Sequence, residues 1–256
     1  MKSELPKLIP KDMVPTRNYI QEVAHVLSAL QRACLKRDRH DWYYGLEVGP
    51  RGLTTQPLRV AGREVRASLD LVRHKVRLER SAWSLSDYAA PEIFNNIKAW
   101  LHAQAPGVSI NQPEFVGGDR HFDRQQADLY AGALWWMDGQ FRWLSSSLKE
   151  GLTSPILLYP HHFDLSLVWF PHGDDKQLAV GFSTGDDTIT EPYLYLSAYP
   201  EPTGFTKLDI PEGAYWQTAG FSGAILPYAR LSASPDPKAL FRKYASGIMS
   251  AARPLG

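Results

Sequence analysis

Cysteine is almost absent from this chain of 256 residues, whose single cysteine is Cys34. One thiol cannot form an internal disulfide, and Cys34 falls on the apolar stripe of a predicted helix, where we expect it to be buried and unreactive. Long apolar runs are absent as well, since none reaches the roughly 18 residues needed to cross a bilayer. The first residues, MKSELPKLIP, lack the apolar core of a signal peptide. We therefore expect a cytoplasmic protein with no membrane partner.

The sequence also lacks the short motifs of common cofactor-dependent and hydrolytic enzymes. It contains no GxGxxG, P-loop or HExxH pattern and no paired cysteines. These absences argue against a dinucleotide-binding fold and a zinc protease site, and we expect no cofactor. A serine hydrolase is disfavoured as well, because Ser222 in GFSG lies between strand signals and not at a strand-to-helix turn. The 28 basic and 27 acidic residues give a net charge of +1, which provides no argument for a nucleic-acid partner.

What the sequence does contain is an alternation of helical and strand periods. Apolar residues at helical spacing predict helices from Ile20 to Cys34, from Pro91 to Leu101, from Asp123 to about Lys149, and from Asp236 onward. The first 15 residues contain three prolines and predict an extended arm.

Period-two alternation between the helices predicts strands that follow one another without helical crossovers. In the first half these strands begin at Trp42 to Val48 and continue through turns at Ala61-Gly62 and Arg73-His74. The sequence therefore predicts an α+β fold with antiparallel sheets flanked by helices. We expect two helix–strands–helix halves, residues 1–112 and 113–256, around the long helix that begins at Asp123. One continuous domain is the alternative, and the oligomeric state is left open.

The stretch from Pro155 to Pro202 has the densest mixture of apolar, aromatic and ionisable residues. In a strand over HHFDLSLVW, His162, Asp164 and Ser166 share one face, while His161 lies on the apolar face as a core histidine. In the following strand the same alternation directs Leu194, Leu196 and Ala198 to the core. It directs outward Glu191, Tyr193, Tyr195, Ser197, Tyr199 and Glu201.

These outward side chains predict a binding face rich in carboxylates and phenols. We expect a small polar ligand on it, held by the candidate residues His162, Asp164, Glu191, Tyr193, Tyr195, Tyr199, Glu201 and Trp216. Trp216 or Tyr195 would provide an aromatic platform for a sugar. The sequence favours this binding module only slightly over an enzyme of hydrolase or isomerase type.

The enzyme alternative uses Asp164, Glu191 or Glu201 as acid and base with assistance from His162. A metal held by His162, Asp164 and one glutamate is chemically sensible but weakly indicated, because no second histidine lies on that face. An imidazole hydrogen-bonded to a carboxylate is the more common outcome. We therefore expect no metal.

Several segments together resemble a bacterial family of unknown function, domain-of-unknown-function family 5996. The segments are GLTTQPL, HFDLSLVWFP, the GFS segment with EPYLYLSAYPEPTGF, GAILPYARL and SPDPKALF. The resemblance spans most of the chain and implies a globular protein along its length. It implies no catalytic residue, because the family has no established activity.

Overall fold

The computed structural model describes residues 4–115, 122–173 and 176–252, except the side chains of residues 251 and 252. Over these ranges the chain forms five helices: α1 (Pro10–Cys34), α2 (Ala90–Gln104), α3 (Arg124–Ser147), α4 (Tyr228–Ser232) and α5 (Pro237–Ala252). None of these helices is long and apolar enough to cross a membrane.

The described residues also form fourteen strands, which pair antiparallel wherever their register is given. In chain order they are β1 (Glu47–Gly49), β2 (Gly52–Thr54), β3 (Leu58–Val60), β4 (Arg63–Val65), β5 (Ala67–Asp70), β6 (Lys75–Leu78), β7 (Ser81–Ser84), β8 (Leu152–Thr153), β9 (Leu157–Tyr159), β10 (Asp164–Phe170), β11 (Gln177–Ser183), β12 (Tyr193–Tyr199), β13 (Tyr215–Gln217) and β14 (Gly223–Pro227). The predicted α+β class with antiparallel sheets is confirmed.

The chain divides into two compact units, whose limits differ from the predicted halves. The unit that we call the α1 unit comprises Lys11–Trp135 and Leu157–Phe163, and the α5 unit comprises Met1–Pro10, Trp136–Ile156 and Asp164–Gly256. The division therefore falls within helix α3. The division of the chain into domains 1–112 and 113–256 stays a prediction, as does a central position for this helix.

In the α1 unit, one sheet has the strand order β1-β2-β5-β6-β7, and strands β3 and β4 form a separate hairpin. The predicted hairpin turns are confirmed. Ala61 and Gly62 join β3 to β4 with φ angles of 48° and 76°, and His74, with φ of 55°, precedes β6. Positive φ angles match the twist of the strands that a short hairpin turn connects.

The predicted extended arm is wrong for residues 10–15, because helix α1 begins at Pro10. A proline at the first helical position loses no hydrogen bond, whereas Pro15 lies inside the helix and removes one backbone donor. Met13 and Thr16 are each 1% exposed and extend the buried stripe of the helix toward its start. Burial of this turn therefore outweighs the cost of the internal proline.

The predicted strand from Trp42 to Val48 is wrong in its first half. Trp42–Tyr44 form a 3-10 turn, and β1 comprises Glu47–Gly49. The Asp38 carboxylate accepts hydrogen bonds from the backbone N–H groups of Trp42 and Tyr43 at 3.1 Å and 2.7 Å. These bonds from a side chain to the backbone stabilise the turn locally and compete with strand pairing.

The other predicted helices are confirmed, and two have aspartates at their N-termini. The Asp123 carboxylate accepts from the Gln126 N–H at 2.9 Å, and that of Asp236 accepts from the Ala239 N–H at 3.0 Å. Each carboxylate satisfies a donor that the first helical turn leaves unpaired. These caps explain why the starts of α3 and α5 could be read from the sequence to within a residue.

The sheet of the α5 unit follows the order β13-β14-β12-β11-β10-β8 and buries one apolar face. The side chains on this face are Leu165, Leu167, Leu178, Val180, Phe182, Leu194, Leu196 and Ala224. Helices α4 and α5 pack on this side: the Tyr228 ring lies 5.4 Å from that of Phe182, and the Tyr244 hydroxyl donates to the Ala224 carbonyl at 2.6 Å. The apolar side of the predicted alternation is therefore the core of this unit.

Asp138 on α3 is fully buried and makes this unit sensitive to pH. Arg142 donates to its carboxylate at 2.6 Å and 3.0 Å, yet burial outweighs this pairing and raises the pKa of Asp138 above its ordinary value of 3.8. A carboxyl whose pKa is higher in the folded than in the unfolded state makes the protein less stable as the pH rises through the interval above 3.8. Relative to Asp138→Asn, the wild type should therefore lose unfolding free energy over this interval.

Urea denaturation of both proteins at a series of pH values checks this expectation. The difference in unfolding free energy, wild type minus Asp138→Asn, should fall as the pH rises. A difference that grows with pH would mean that the Arg142 ion pair outweighs burial.

Candidate functional site

The candidate site is a group of polar side chains on the other face of the α5-unit sheet. We call it the polar row, and it consists of Asp164, Ser166, Ser183, Tyr193 and Tyr195. The register pairs Asp164 with Ser183 and Ser183 with Tyr193, so these three side chains share a face. The neighbouring line of paired residues runs from Ser166 through Gly181 to Tyr195.

Gly181 allows Tyr195 to reach across the central strand of this group. A Cβ atom at position 181 would lie 2.2 Å from Cζ and 2.3 Å from Cε1 of Tyr195, so the phenol ring covers the glycine. The Tyr195 hydroxyl then donates a hydrogen bond to Oδ2 of Asp164 on the far strand. The position of the Tyr195 phenol therefore depends on the glycine at position 181 of β11 and on the Asp164 carboxylate of β10.

The electrostatics of the row keep its phenols protonated. Burial, followed by the negative charge of Asp164 and the hydrogen bond to it, raises the pKa of Tyr195 well above its ordinary value, and the Ser166 hydroxyl offsets this only in part. Burial likewise raises the pKa of Tyr193, with a second contribution from Asp186. Both phenols therefore act as hydrogen-bond donors at physiological pH.

Asp186 extends the network into the loop between β11 and β12. Its Oδ2 accepts a hydrogen bond from the Tyr193 hydroxyl at 2.5 Å. Its Oδ1 accepts from the backbone N–H groups of Thr188 and Ile189 at 2.7 Å and 2.8 Å, which makes this segment a turn. The same carboxylate thus shapes the loop and orients a phenol of the sheet.

Asp164 and Tyr193 are buried, and their predicted placement on an exposed face is wrong. Asp164 is 7% exposed and Tyr193 is 4% exposed. Strand alternation assigns side chains to two faces, but it does not reveal whether the second face is also covered. Here both faces are covered at the end of the sheet where Asp164 lies beside Ser183 and Tyr193.

The carboxylates proposed as acid–base partners differ in their surroundings. Glu191 is exposed in the loop before β12, and its charge acts on Tyr215, whose pKa it raises in addition to the effect of burial. Glu201 is exposed in the loop after β12 and lies outside the strand on which it was placed. Tyr199, at the end of β12, is 69% exposed.

Two further candidates lie off the predicted face. His162 is exposed in the turn before β10, since that strand begins only at Asp164, and it belongs to the α1 unit. Trp216 pairs with Ala224 and so points to the apolar side of the sheet. There its indole N–H donates to the Leu208 carbonyl at 3.2 Å, and its ring meets that of Phe205 edge-on at 5.1 Å.

Sequence reasoning missed two aromatic residues beside the polar row. Tyr215 pairs with Ile225, which pairs with Tyr195, so both tyrosines share one face. Tyr215 is 41% exposed, and the Phe221 ring meets that of Tyr195 edge-on at 6.4 Å. A shift of one residue, from Trp216 to Tyr215, would have put the predicted aromatic residue on the same face as Tyr195, but the register of so short a strand is not encoded locally.

Potential metal ligands do not converge in the described part of the chain. Over residues 4–115, 122–173 and 176–252, no group of three or more histidine, cysteine, aspartate or glutamate side chains could hold a metal ion. What the polar row provides is an array of oriented oxygen atoms. Such an array suits a partner that donates hydrogen bonds.

Comparison with known proteins gives a family and no activity. No curated protein and no solved structure matches the chain. The model of a family of unknown function, DUF5996, matches residues 5–92 and 95–256. This match covers nearly the whole chain and includes the polar row and the sheet that carries it. The protein therefore belongs to the family of unknown function DUF5996.

Proposed function

We propose that the protein is a binding module for a small polar ligand rich in hydrogen-bond donors, such as a polyol, a sugar or an amine. The observation that carries the proposal is the Tyr195 phenol, which crosses Gly181 and donates to the buried Asp164 carboxylate. A hydrogen bond from a neutral phenol offsets only part of the free-energy cost of burying a carboxylate, and well-packed apolar residues of similar volume would avoid that cost. Groups retained at such a cost are candidates for binding sites.

The surroundings of Tyr195 support a ligand that approaches from one end of the row. Tyr195 itself is half-buried, whereas Asp164 and Ser166 behind it are buried. Tyr215 on the same face is partly exposed, and the charge of Glu191 lies beside it. An aromatic surface next to oxygen acceptors suits the apolar faces and hydroxyl groups of a sugar, or an organic cation.

The first test is a ligand screen read by thermal unfolding. The panel contains monosaccharides, linear polyols, diamines and amino acids, each at millimolar concentration. A ligand at 100 times its dissociation constant stabilises the folded state by about 2.7 kcal/mol, so a member that fits should raise the melting temperature clearly. A panel in which no member shifts the wild-type melting temperature contradicts the proposal.

The second test locates the site with a matched pair of substitutions. Tyr195→Phe removes only the hydroxyl that donates to Asp164, and we expect it to cost about 1–3 kcal/mol of stability and to abolish the ligand-induced shift. Tyr199→Phe makes the same change on the same strand at an exposed position and should keep the full shift. Equal ligand-induced shifts in the two variants would assign Tyr195 and Asp164 to structure alone.

A further inference from the structure

The α1 unit contains a second group of functional side chains, outside the polar row. We call it the imidazole cluster, and it consists of His25, Arg32, Tyr44, Tyr159, His161 and His162. His161 and His162 lie in the turn before β10 and are exposed, so His161 is not the core residue that strand alternation predicted. Strand β10 begins only at Asp164, and its apolar face therefore does not include His161.

Ring contacts define the geometry of the cluster. The His161 ring lies 4.2 Å from that of His162, 5.4 Å from that of Tyr44 and 6.1 Å from that of Tyr159. The guanidinium carbon of Arg32 lies 5.4 Å from the centroid of the same Tyr44 ring. Two half-buried phenol rings thus lie among a set of nitrogen donors.

The turn that presents the two histidines is fixed by surrounding structure. Gln21 on α1 donates to the Pro160 carbonyl at 2.9 Å. Immediately before the turn, the backbones of Leu46 and Leu158 exchange two hydrogen bonds of 2.8 Å. Phe163 ends the turn with a φ of 51°, a conformation that non-glycine residues adopt at a cost. The backbone that carries the two imidazoles is therefore held in place before any ligand arrives.

The nitrogen donors of the cluster are uncommitted within the described residues. No carboxylate in those ranges lies within ion-pair distance of Arg32, and none of the rings of His25, His161 and His162 makes a hydrogen bond. Each imidazole can donate at least one hydrogen bond, and the guanidinium donates several and carries a positive charge. Such a combination is what a phosphate or sulfate group requires.

We propose that the imidazole cluster binds a small oxyanion of the phosphate type, with Arg32, His161 and His162 as its principal donors. A metal ion is a poorer fit, since the described residues contain no group that could hold one. The phenol rings of Tyr44 and Tyr159 provide an apolar floor, which suits an organic phosphate better than the free ion.

Mutual repulsion among the donors makes the binding dependent on pH. Partial burial of its ring, followed by the positive charges of His162, His25 and Arg32, lowers the pKa of His161 to about 4, and the negative charge of Asp41 opposes this shift. Asp41 is itself paired with Arg37 at 2.8 Å. His161 is therefore neutral in the free protein at pH 7.

An anion among these groups favours their protonated forms and so raises the pKa of His161 in the complex. At pH values between about 4 and the pKa of His161 in the complex, anion binding is accompanied by uptake of a proton. In this interval the affinity for the anion rises up to tenfold for each unit that the pH falls. Below about 4 the free protein is already protonated, and the affinity levels off.

The experiment uses sulfate, inorganic phosphate and phenyl phosphate as probes, followed by calorimetry and by the NMR signals of the histidine rings. Sulfate keeps its charge between pH 5 and 8, so its pH dependence reports the protein alone. We expect sulfate to bind more tightly at pH 5 than at pH 8, with a rise in the pKa of His161 at saturation. Phenyl phosphate should bind more tightly than inorganic phosphate if the aromatic floor contacts the organic group, and equal affinities would restrict the proposal to the free ion.

Substitutions complete the test. Arg32→Gln should weaken sulfate binding at least tenfold, and His161→Gln should reduce the pH dependence, whereas His102→Gln, an exposed histidine on α2, should change neither. Circular dichroism verifies that each variant is folded. The proposal is overturned if saturating sulfate leaves the histidine signals unchanged, or if His161→Gln and His102→Gln bind with the same affinity and pH dependence.

Discussion

Gly181→Ala should lower the free energy of unfolding by about 1–3 kcal/mol, although it adds a single methyl group. The added Cβ would lie 2.2 Å from Cζ of Tyr195, far inside van der Waals contact. The ring cannot move aside freely, because its hydroxyl is bonded to Asp164 on the far strand. Either the phenol leaves Asp164 or the two strands move apart, and both responses cost stability. Urea denaturation measures the loss.

A double-mutant comparison distinguishes this contact from a general effect of alanine. In a Tyr195→Leu background the ring is absent, and Gly181→Ala should cost much less than it does in the wild type. As a matched control, Gly139→Ala lies on α3, where an added Cβ meets nothing within 4 Å. It should raise stability by about 0.5–1 kcal/mol, because alanine favours a helix over glycine. An equal cost of Gly181→Ala in both backgrounds would show that the phenol does not cover this glycine.

Leu196→Asp should leave no cooperatively folded protein at neutral pH. Leu196 is fully buried on the apolar face of the α5-unit sheet, opposite Val180 and Ala224. An unpaired carboxylate there has no partner to offset its desolvation. The expected cost is above about 4–5 kcal/mol, which is comparable to the total stability of many domains.

The control for this substitution is Tyr199→Asp, three positions along the same strand at a site that is 69% exposed. It introduces the same charge and should change stability by no more than about 0.5 kcal/mol. Near-ultraviolet circular dichroism and thermal denaturation provide the readout. If Leu196→Asp is too insoluble to measure, Leu196→Ala should cost about 2–5 kcal/mol. A cooperative transition of normal amplitude in Leu196→Asp would mean that this face of the sheet is not the core.

Much of the fold could be predicted because its signals are local. The capping aspartates at 123 and 236 and the apolar stripes that follow them are sufficient to place α3 and α5. The errors occurred where distant packing decided the outcome. Helix α1 includes Pro15 because the burial of Met13 and Thr16 outweighs the hydrogen bond that the proline removes. The turn at Trp42–Tyr44 depends on Asp38, whose role a period-two pattern does not reveal.

The candidate site was predictable only in part. Alternation correctly grouped Asp164 with Ser166, and Tyr193 with Tyr195, on the same faces of their strands. It could not show that Asp164 and Tyr193 are covered, because burial depends on what packs above the sheet. Nor could it pair Gly181 with Tyr195, since that register joins segments separated by a loop. The sequence therefore predicted the face on which each side chain lies, but not whether that side chain is exposed or which residue pairs with it on the next strand.

One ring above one glycine also restricts how this sheet can change during evolution. A substitution at position 181 is tolerated only after the aromatic residue opposite has become shorter, and an aromatic residue opposite is tolerated only while 181 lacks a side chain. The two positions are therefore expected to vary together among relatives, and neither change is neutral when it occurs first.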